Sequence, residues 1–169
     1  MDATPPMNLH KAARDPWVWG QLALLLLVGI GAPMAGQVNF GPLDGLLGLQ
    51  DPRGLRRAGL VIGVLGAGVI WWGVRSLGRS LTPGVEPVPQ ASPVREGAYA
   101  LVRHPIYTGL ILLLAGYAWS WSNWRLAVLA GLGSWRYFDA KAEAEERHLL
   151  ARYPAYQEYR RAVPKFFPW

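Results

Sequence analysis

Apolar residues along the chain gather in four blocks, Trp17 to Met34, Ala58 to Val74, Ile106 to Trp121 and Trp124 to Phe138. The first three contain no charged residue, and the fourth contains only Arg125 near its start and Arg136 near its end. At 1.5 Å per residue the first two can cross a hydrocarbon core of roughly 30 Å with little margin, and the last two are shorter. The pattern predicts an all-α polytopic membrane protein with about four transmembrane helices. The third and fourth are joined by Ser122-Asn123 inside the aromatic run Trp119 to Trp124, which predicts a short C-terminal helical hairpin turning at a membrane interface. Past Phe138 the pattern changes to Asp139-Ala-Lys141-Ala-Glu143-Ala-Glu145-Glu146-Arg147-His148-Leu149-Leu150, rich in helix formers. With the i, i+4 pairs Lys141/Glu145 and Glu143/Arg147, this predicts a cytoplasmic C-terminal helix. Glu146, Leu150 and Tyr153 share one of its faces, so a carboxylate can lie against the membrane mouth.

The segments between the blocks divide a single membrane domain into two parts. Residues 1–57 read as a loose leader with Pro5-Pro6, a retained first helix and an outer loop, Gln37 to Gly54, with a short surface helix over Leu43 to Leu49. Residues 58–169 read as the core that carries the chemistry. Within it, Gly59-Leu-Val-Ile-Gly63 is either a close-packing motif or glycine tolerated in a membrane helix. Ser76 to Val102, with Pro83, Pro87, Pro89 and Pro93, reads as an inner loop. Phe166, Phe167 and Trp169 in the tail are expected to anchor at lipid headgroups.

Composition adds two exclusions to this picture. The chain has no cysteine among its 169 residues, which rules out disulfides, thiolate catalysis and cysteine-ligated metals. Its net charge of +6 is distributed by topology and points to no nucleic-acid partner. With both termini cytoplasmic, Lys11, Arg14, Arg75, Arg79, Arg95, Arg103, Arg136, Lys141, Arg147, Arg152, Arg160, Arg161 and Lys165 lie inside. Only Arg53, Arg56, Arg57 and Arg125 of the 17 basic residues lie outside.

Ionisable and aromatic residues concentrate at Gly97-Ala-Tyr99-Ala-Leu-Val-Arg103-His104-Pro105-Ile-Tyr107-Thr-Gly109. Pro105 suits the first position of a helix and His104 the N-cap, so free amides, the positive helix end and Arg103 favour an anionic group there. The hairpin returns Glu145 and Glu146 to the same face, with Tyr156 and Tyr159 near. No pair of histidines stands at metal-ligand spacing, and no metal site is expected. Arg103 for a carboxylate, a glutamate for an ammonium or ribose, and tyrosines for a sulfonium or adenine suit a zwitterionic, cationic cofactor.

The motif from Gly97 to Gly109, followed after a helical hairpin by Glu145-Glu146-Arg147-x-Leu149 and Tyr153-x-x-Tyr156-x-x-Tyr159, resembles the isoprenylcysteine carboxyl methyltransferase and phospholipid methyltransferase superfamily. The resemblance covers roughly residues 60 to 169. It implies an integral membrane methyltransferase using S-adenosylmethionine, with a lipophilic small molecule or lipid arriving from the bilayer as acceptor. It also implies a cofactor set of Tyr99, Arg103, His104, Tyr107, Gly109, Glu145 and Glu146, with Arg103 and Glu146 affecting turnover. A carboxylate acceptor would be oriented by Arg103, whereas an amine acceptor would need Glu146 or His104 as base. Phospholipid N-methylation, a nicotinamide-dependent membrane reductase and a helical scaffold are the alternative readings.

Overall fold

The computed structural model describes residues 14–35, 52–78 and 93–167; the surface helix expected over Leu43 to Leu49, Pro83, Pro87, Pro89 and Trp169 lie outside them. The described residues form five α-helices and no strand: α1 Pro16–Ala35, α2 Pro52–Leu77, α3 Pro105–Ser120, α4 Trp124–Arg152 and α5 Tyr156–Ala162. Three of them begin at proline, whose missing N–H costs nothing in a first turn. Asp15 completes the start of α1 by accepting from the Trp17 amide at 2.8 Å.

Two helices, Pro16–Ala35 and Arg53–Leu77, are long and apolar enough to cross a membrane. α3 is apolar over 16 residues, and in α4 the fourth apolar block runs without a break into the charged segment. Length and composition thus mark two of the four expected spans. α1 and α2 carry large apolar side chains outward, among them Leu27 and Val64, as lipid-facing helices do. α2 also begins ahead of its apolar block, so Arg53, Arg56 and Arg57 ride on its first turns.

α2 and α3 meet backbone to backbone. A methyl group built on Gly109 would stand 2.6 Å from the Gly66 carbonyl oxygen, and one on Gly116 would stand 2.7 Å from that of Gly59. Only glycine permits this approach, so the motif begun by Gly59 and Gly63 is a packing seam. The opposite face of α3 joins α4 through Ile111, Leu114, Ala118, Ala127, Ala130 and Phe138, the main buried cluster. The turn between the two helices is as tight as expected: Ser122 has φ 58° and the Asn123 side chain caps α4 by accepting from the Leu126 amide at 3.0 Å. α1 is fastened to this pair by polar ties. Tyr117 donates to the Gly29 carbonyl at 3.0 Å, Tyr137 to that of Trp17, and Lys141 to Gln21 Oε1 at 2.8 Å.

The tail corrects one expectation. Phe166 is buried in the core cluster with Phe167 packed against it, rather than anchoring at headgroups. The reason is hydrogen bonding: Thr108 Oγ1 donates to the Phe166 carbonyl at 2.7 Å, and the amides of Arg103 and His104 donate to Pro164 and Lys165 at 2.9 and 3.1 Å. Those backbone bonds draw the tail across the start of α3.

Candidate functional site

Three segments deliver the site. The first is a 3-10 turn, Gly97–Ala100, docked on the end of α2: Gly97 has φ +61°, and Ser76 Oγ accepts from the Ala98 amide at 3.1 Å. A side chain on Gly97 would collide with Ser76, so both the conformation and the space call for glycine. This turn carries Tyr99 and leads into Arg103, His104 and Tyr107. The second is the polar half of α4, with Glu145 and Glu146. The third is α5 and the tail, with Tyr156, Tyr159 and Arg160.

His104 occupies the N-cap position of α3, as expected, but its side chain makes no capping bond. It is spent between the two carboxylates: Nε2 lies 3.0 Å from Glu146 Oε1, and Nδ1 lies 3.6 Å from Glu145 Oε2. Arg103 Nε approaches Glu146 Oε1 at 3.0 Å, and Arg160 Nε approaches Glu146 Oε2 at 3.0 Å. Tyr107 donates to Glu145 Oε1, and its ring is stacked between those of His104 at 5.5 Å and Phe138 at 4.9 Å. The anion at this corner is therefore the protein's own Glu146. The amides of Arg103 and His104, just ahead of the helix, donate to tail carbonyls, and Arg103 Nη1 donates to the carbonyls of Arg160 and Val163.

The two adjacent carboxyls are pushed in opposite directions. Burial raises Glu145, and the charge of His104, the Tyr107 hydrogen bond and Lys141 only partly oppose it. Burial also acts upward on Glu146, but the hydrogen bond and charge of His104, with Arg103 and Arg160, outweigh it and hold that carboxyl below its ordinary value. Such a split assigns different roles to two like groups. Burial, then Glu145, raises Tyr99; burial raises Tyr159 to about 12, so both phenols remain protonated donors at neutral pH. Tyr159 uses its proton on the Tyr99 carbonyl at 2.6 Å.

Of the seven residues implied by the resemblance, Arg103, His104, Tyr107, Glu145 and Glu146 converge, and Tyr99 stands beside them. Gly109 lies instead in the α2/α3 seam against Gly66 and Ile70. Arg160, Phe138 and Lys141 belong to the constellation and were not singled out in the sequence, and Gln21 of α1 stands behind Lys141. Phe138, Lys141, Ala142 and Glu146 are all buried at spacings of three and four on α4, a stripe that would have identified Lys141 as inward-facing.

Glu146 Oε2 is buried with no aligned hydrogen bond, although Arg160 faces it, so the carboxylate retains capacity for a hydroxyl or ammonium donor. A cavity of ≈ 270 Å³ lined by Glu143, Glu146, Arg147 and Arg160 adjoins it. The unused acceptor capacity of Glu146 at the edge of this cavity fits a ligand that carries hydroxyl or ammonium donors. Among the described residues no group of three His, Asp or Glu side chains is arranged to hold a metal ion.

The family model described as isoprenylcysteine carboxyl methyltransferase (ICMT) matches residues 59–151, just over half of the chain. Protein-S-isoprenylcysteine O-methyltransferase of Schizosaccharomyces pombe is 33% identical over 76 residues, 44% of this chain and 32% of that protein. Cobalt-zinc-cadmium resistance protein CzcN of Cupriavidus metallidurans is 31% identical over 75 residues, 44% of this chain and 35% of its own length. Nickel-cobalt-cadmium resistance protein NccN of Alcaligenes xylosoxydans xylosoxydans is 28% identical over 124 residues, 70% of this chain and 54% of its own. The matches thus span from about a third to about half of these relatives.

Proposed function

Because the chain belongs to the isoprenylcysteine carboxyl methyltransferase family, we propose that it is an integral membrane methyltransferase that moves a methyl group from S-adenosylmethionine to a lipophilic acceptor, most simply the carboxylate of an isoprenylcysteine-like molecule or another small lipophilic acid. The observation that carries this reading is the convergence of Arg103 and His104 with Glu145 and Glu146, all inside the matched segment. The two apolar helices support the membrane setting and the acceptor's arrival from lipid. The excess of basic residues on one side supports placing both termini and the site in the cytoplasm.

S-adenosylmethionine supplies an electrophilic methyl group on a sulfonium centre. In this reading Glu146 would accept from the donor's hydroxyl or ammonium groups, with Glu145 beside it and Tyr107, closed in by His104 and Phe138, holding Glu145 in place. Methyl transfer is an in-line displacement, so holding the acceptor about 3 to 3.5 Å from the methyl carbon supplies much of the acceleration. A carboxylate acceptor needs no base. Arg103 would be the charge that orients it, through Nη2, since Nε faces Glu146 and Nη1 donates to the carbonyls of Arg160 and Val163.

Calorimetry on the purified full chain with S-adenosylmethionine, S-adenosylhomocysteine and a reduced nicotinamide dinucleotide tests the donor. Binding of the two methionine derivatives is expected; binding of the dinucleotide alone overturns the reading. A panel of prenylcysteine and phosphatidylethanolamine acceptors with labelled donor then separates carboxylate from amine methylation.

A further inference from the structure

Among the lysines and arginines of the described residues, Lys141 stands apart because it is 1% exposed. Its Nζ lies 2.8 Å from Gln21 Oε1 and 5.4 Å from the centre of the Tyr107 ring. An ammonium is not held out of water without partners, and these partners come from α1 and α3, while Glu145 follows it by one turn on α4. We propose that Lys141, anchored by Gln21, is a positioning residue that keeps the Tyr107–Glu145 pair hydrogen-bonded, so that the first helix acts on a site it does not line.

The argument follows from the arrangement of charge. Tyr107 donates to Glu145 Oε1, a bond favoured by the carboxylate over the carboxylic acid. Burial favours the acid, so the bond depends on neighbouring positive charge. The groups that act on Glu145 are His104 ahead of α3, Tyr107 on α3, Tyr99 on the preceding turn, Tyr156 on α5, and Lys141 and Glu146 on α4. Arg103 and Arg160 are committed to Glu146. The lysine is thus the permanent cation on the Glu145 side. Its own charge, opposed by burial, is favoured by Glu145 and by Asp15 at the start of α1. Gln21 supplies the acceptor that makes the buried ammonium tolerable, and the cation 5.4 Å from the Tyr107 ring centre adds a contact to that ring. α1 lies outside the segment that matches the family, so the tie is a contribution of this chain's own N-terminal helix. Its bearing on methyl transfer rests on the function proposed above; the charge relation does not.

The test is a pH titration of the Glu145 carboxyl by carbon-13 NMR on the full chain in lipid nanodiscs, the signal being assigned by its loss in E145Q. In K141M the midpoint moves up by about one pH unit, the order expected for loss of a neighbouring opposite charge. In K141R, which keeps the charge, it stays in place. Q21L, which leaves the lysine but removes its acceptor, gives a smaller upward shift. An unmoved midpoint in folded K141M overturns the proposal; should K141M fail to fold, an unmoved midpoint in Q21L does so. S-adenosylmethionine affinity measured across the same pH range is the second arm. Its acid limb moves with the Glu145 midpoint in each variant. A moved midpoint with no donor binding to any form, the wild type included, refutes the proposed function while leaving the positioning role standing.

Discussion

The two faces of α3 show opposite ways of bringing helices together. On one face Gly109 and Gly116 lie against Gly66, Gly63 and Gly59 of α2, with backbone atoms of the two helices in direct approach and Ile70 beside Gly109. On the other, Tyr107, Ile111, Leu114 and Ala118 meet α4, and the contact ends in the cluster of Arg103, His104, Glu145 and Glu146. The first face depends on volume alone, because a methyl group has nowhere to go. The second depends on charge balance, since each buried ion is tolerable only while its partners remain. The rigid seam holds the start of α3 against α2, so that the ionic face can be held to the distances its chemistry needs.

The seam is where substitution costs most. Gly116→Val and Gly109→Val are expected to lose about 3 kcal/mol or more, the upper end of overpacking penalties, because backbone atoms on the facing helix cannot yield as a side chain could. Gly133→Ala is the control: nothing lies within 4 Å of its new methyl, and replacing a mid-helix glycine gains about 0.5–1 kcal/mol. Thermal melting in detergent separates the three. A wild-type melting point for G116V would dissolve the contrast between the faces. Gly109 has a second test: loss of donor affinity in folded G109A with unchanged melting would move it from the seam into the site.

On the ionic face Glu146→Gln is expected to cost about 3 kcal/mol, since it strands Arg103 beside His104 in a buried setting. Arg160→Gln costs less, about 1 kcal/mol at most, because that side chain is 43% exposed and solvent screens it. Melting and S-adenosylmethionine calorimetry run together on E146Q read both consequences, with affinity expected to fall at least about tenfold on loss of a charged acceptor. Unchanged affinity would remove Glu146 from the proposed donor site.

The adjacent carboxyls sharpen the comparison through pH. Glu146 is held below its ordinary value, so its contribution to stability is complete above about 4.5 and is lost as pH falls toward and through its folded value. Glu145 is raised, so its contribution is present below about 4.5 and is lost as pH rises through its folded value. Relative to the wild type, E146Q therefore loses less stability on acidification, and E145Q loses more. Melting points taken from pH 7 down to 4 measure both deviations, and deviations of one sign would show that the two carboxyls share one environment.

Much of this was legible before any coordinates. Pro105 marked the start of α3, Ser122-Asn123 marked the hairpin turn, and the hairpin's length required Glu145 and Glu146 to return to Arg103 and His104. What stayed hidden depended on pairing at long range. The anion-binding corner looked open because nothing local to Arg103 said that Glu146 and two tail carbonyls would use it. Phe166 looked like a headgroup anchor because backbone bonds from Arg103, His104 and Thr108 decide its burial, and backbone groups carry no sequence signal. The glycine pattern of α2 was ambiguous until Gly109 and Gly116 supplied the matching surface.

The smallest effect tests the same distinction within one helix. Lys141/Glu145 and Glu143/Arg147 are both i, i+4 pairs on α4 and read alike in the sequence. Glu143 and Arg147 stand 3.8 Å apart with side chains 49% and 77% exposed, whereas Lys141 is buried against Gln21 and Tyr107. An exposed pair of this kind contributes about 0.5 kcal/mol or less, because water screens it and two long side chains must be ordered to form it. Arg147→Gln is therefore expected to leave the melting point nearly unchanged, with the residual loss disappearing in high salt. A loss that persists in salt would mean that Arg147 is held by the cavity it shares with Glu146 and Arg160, and that the ionic face reaches one turn further along α4 than its buried members mark.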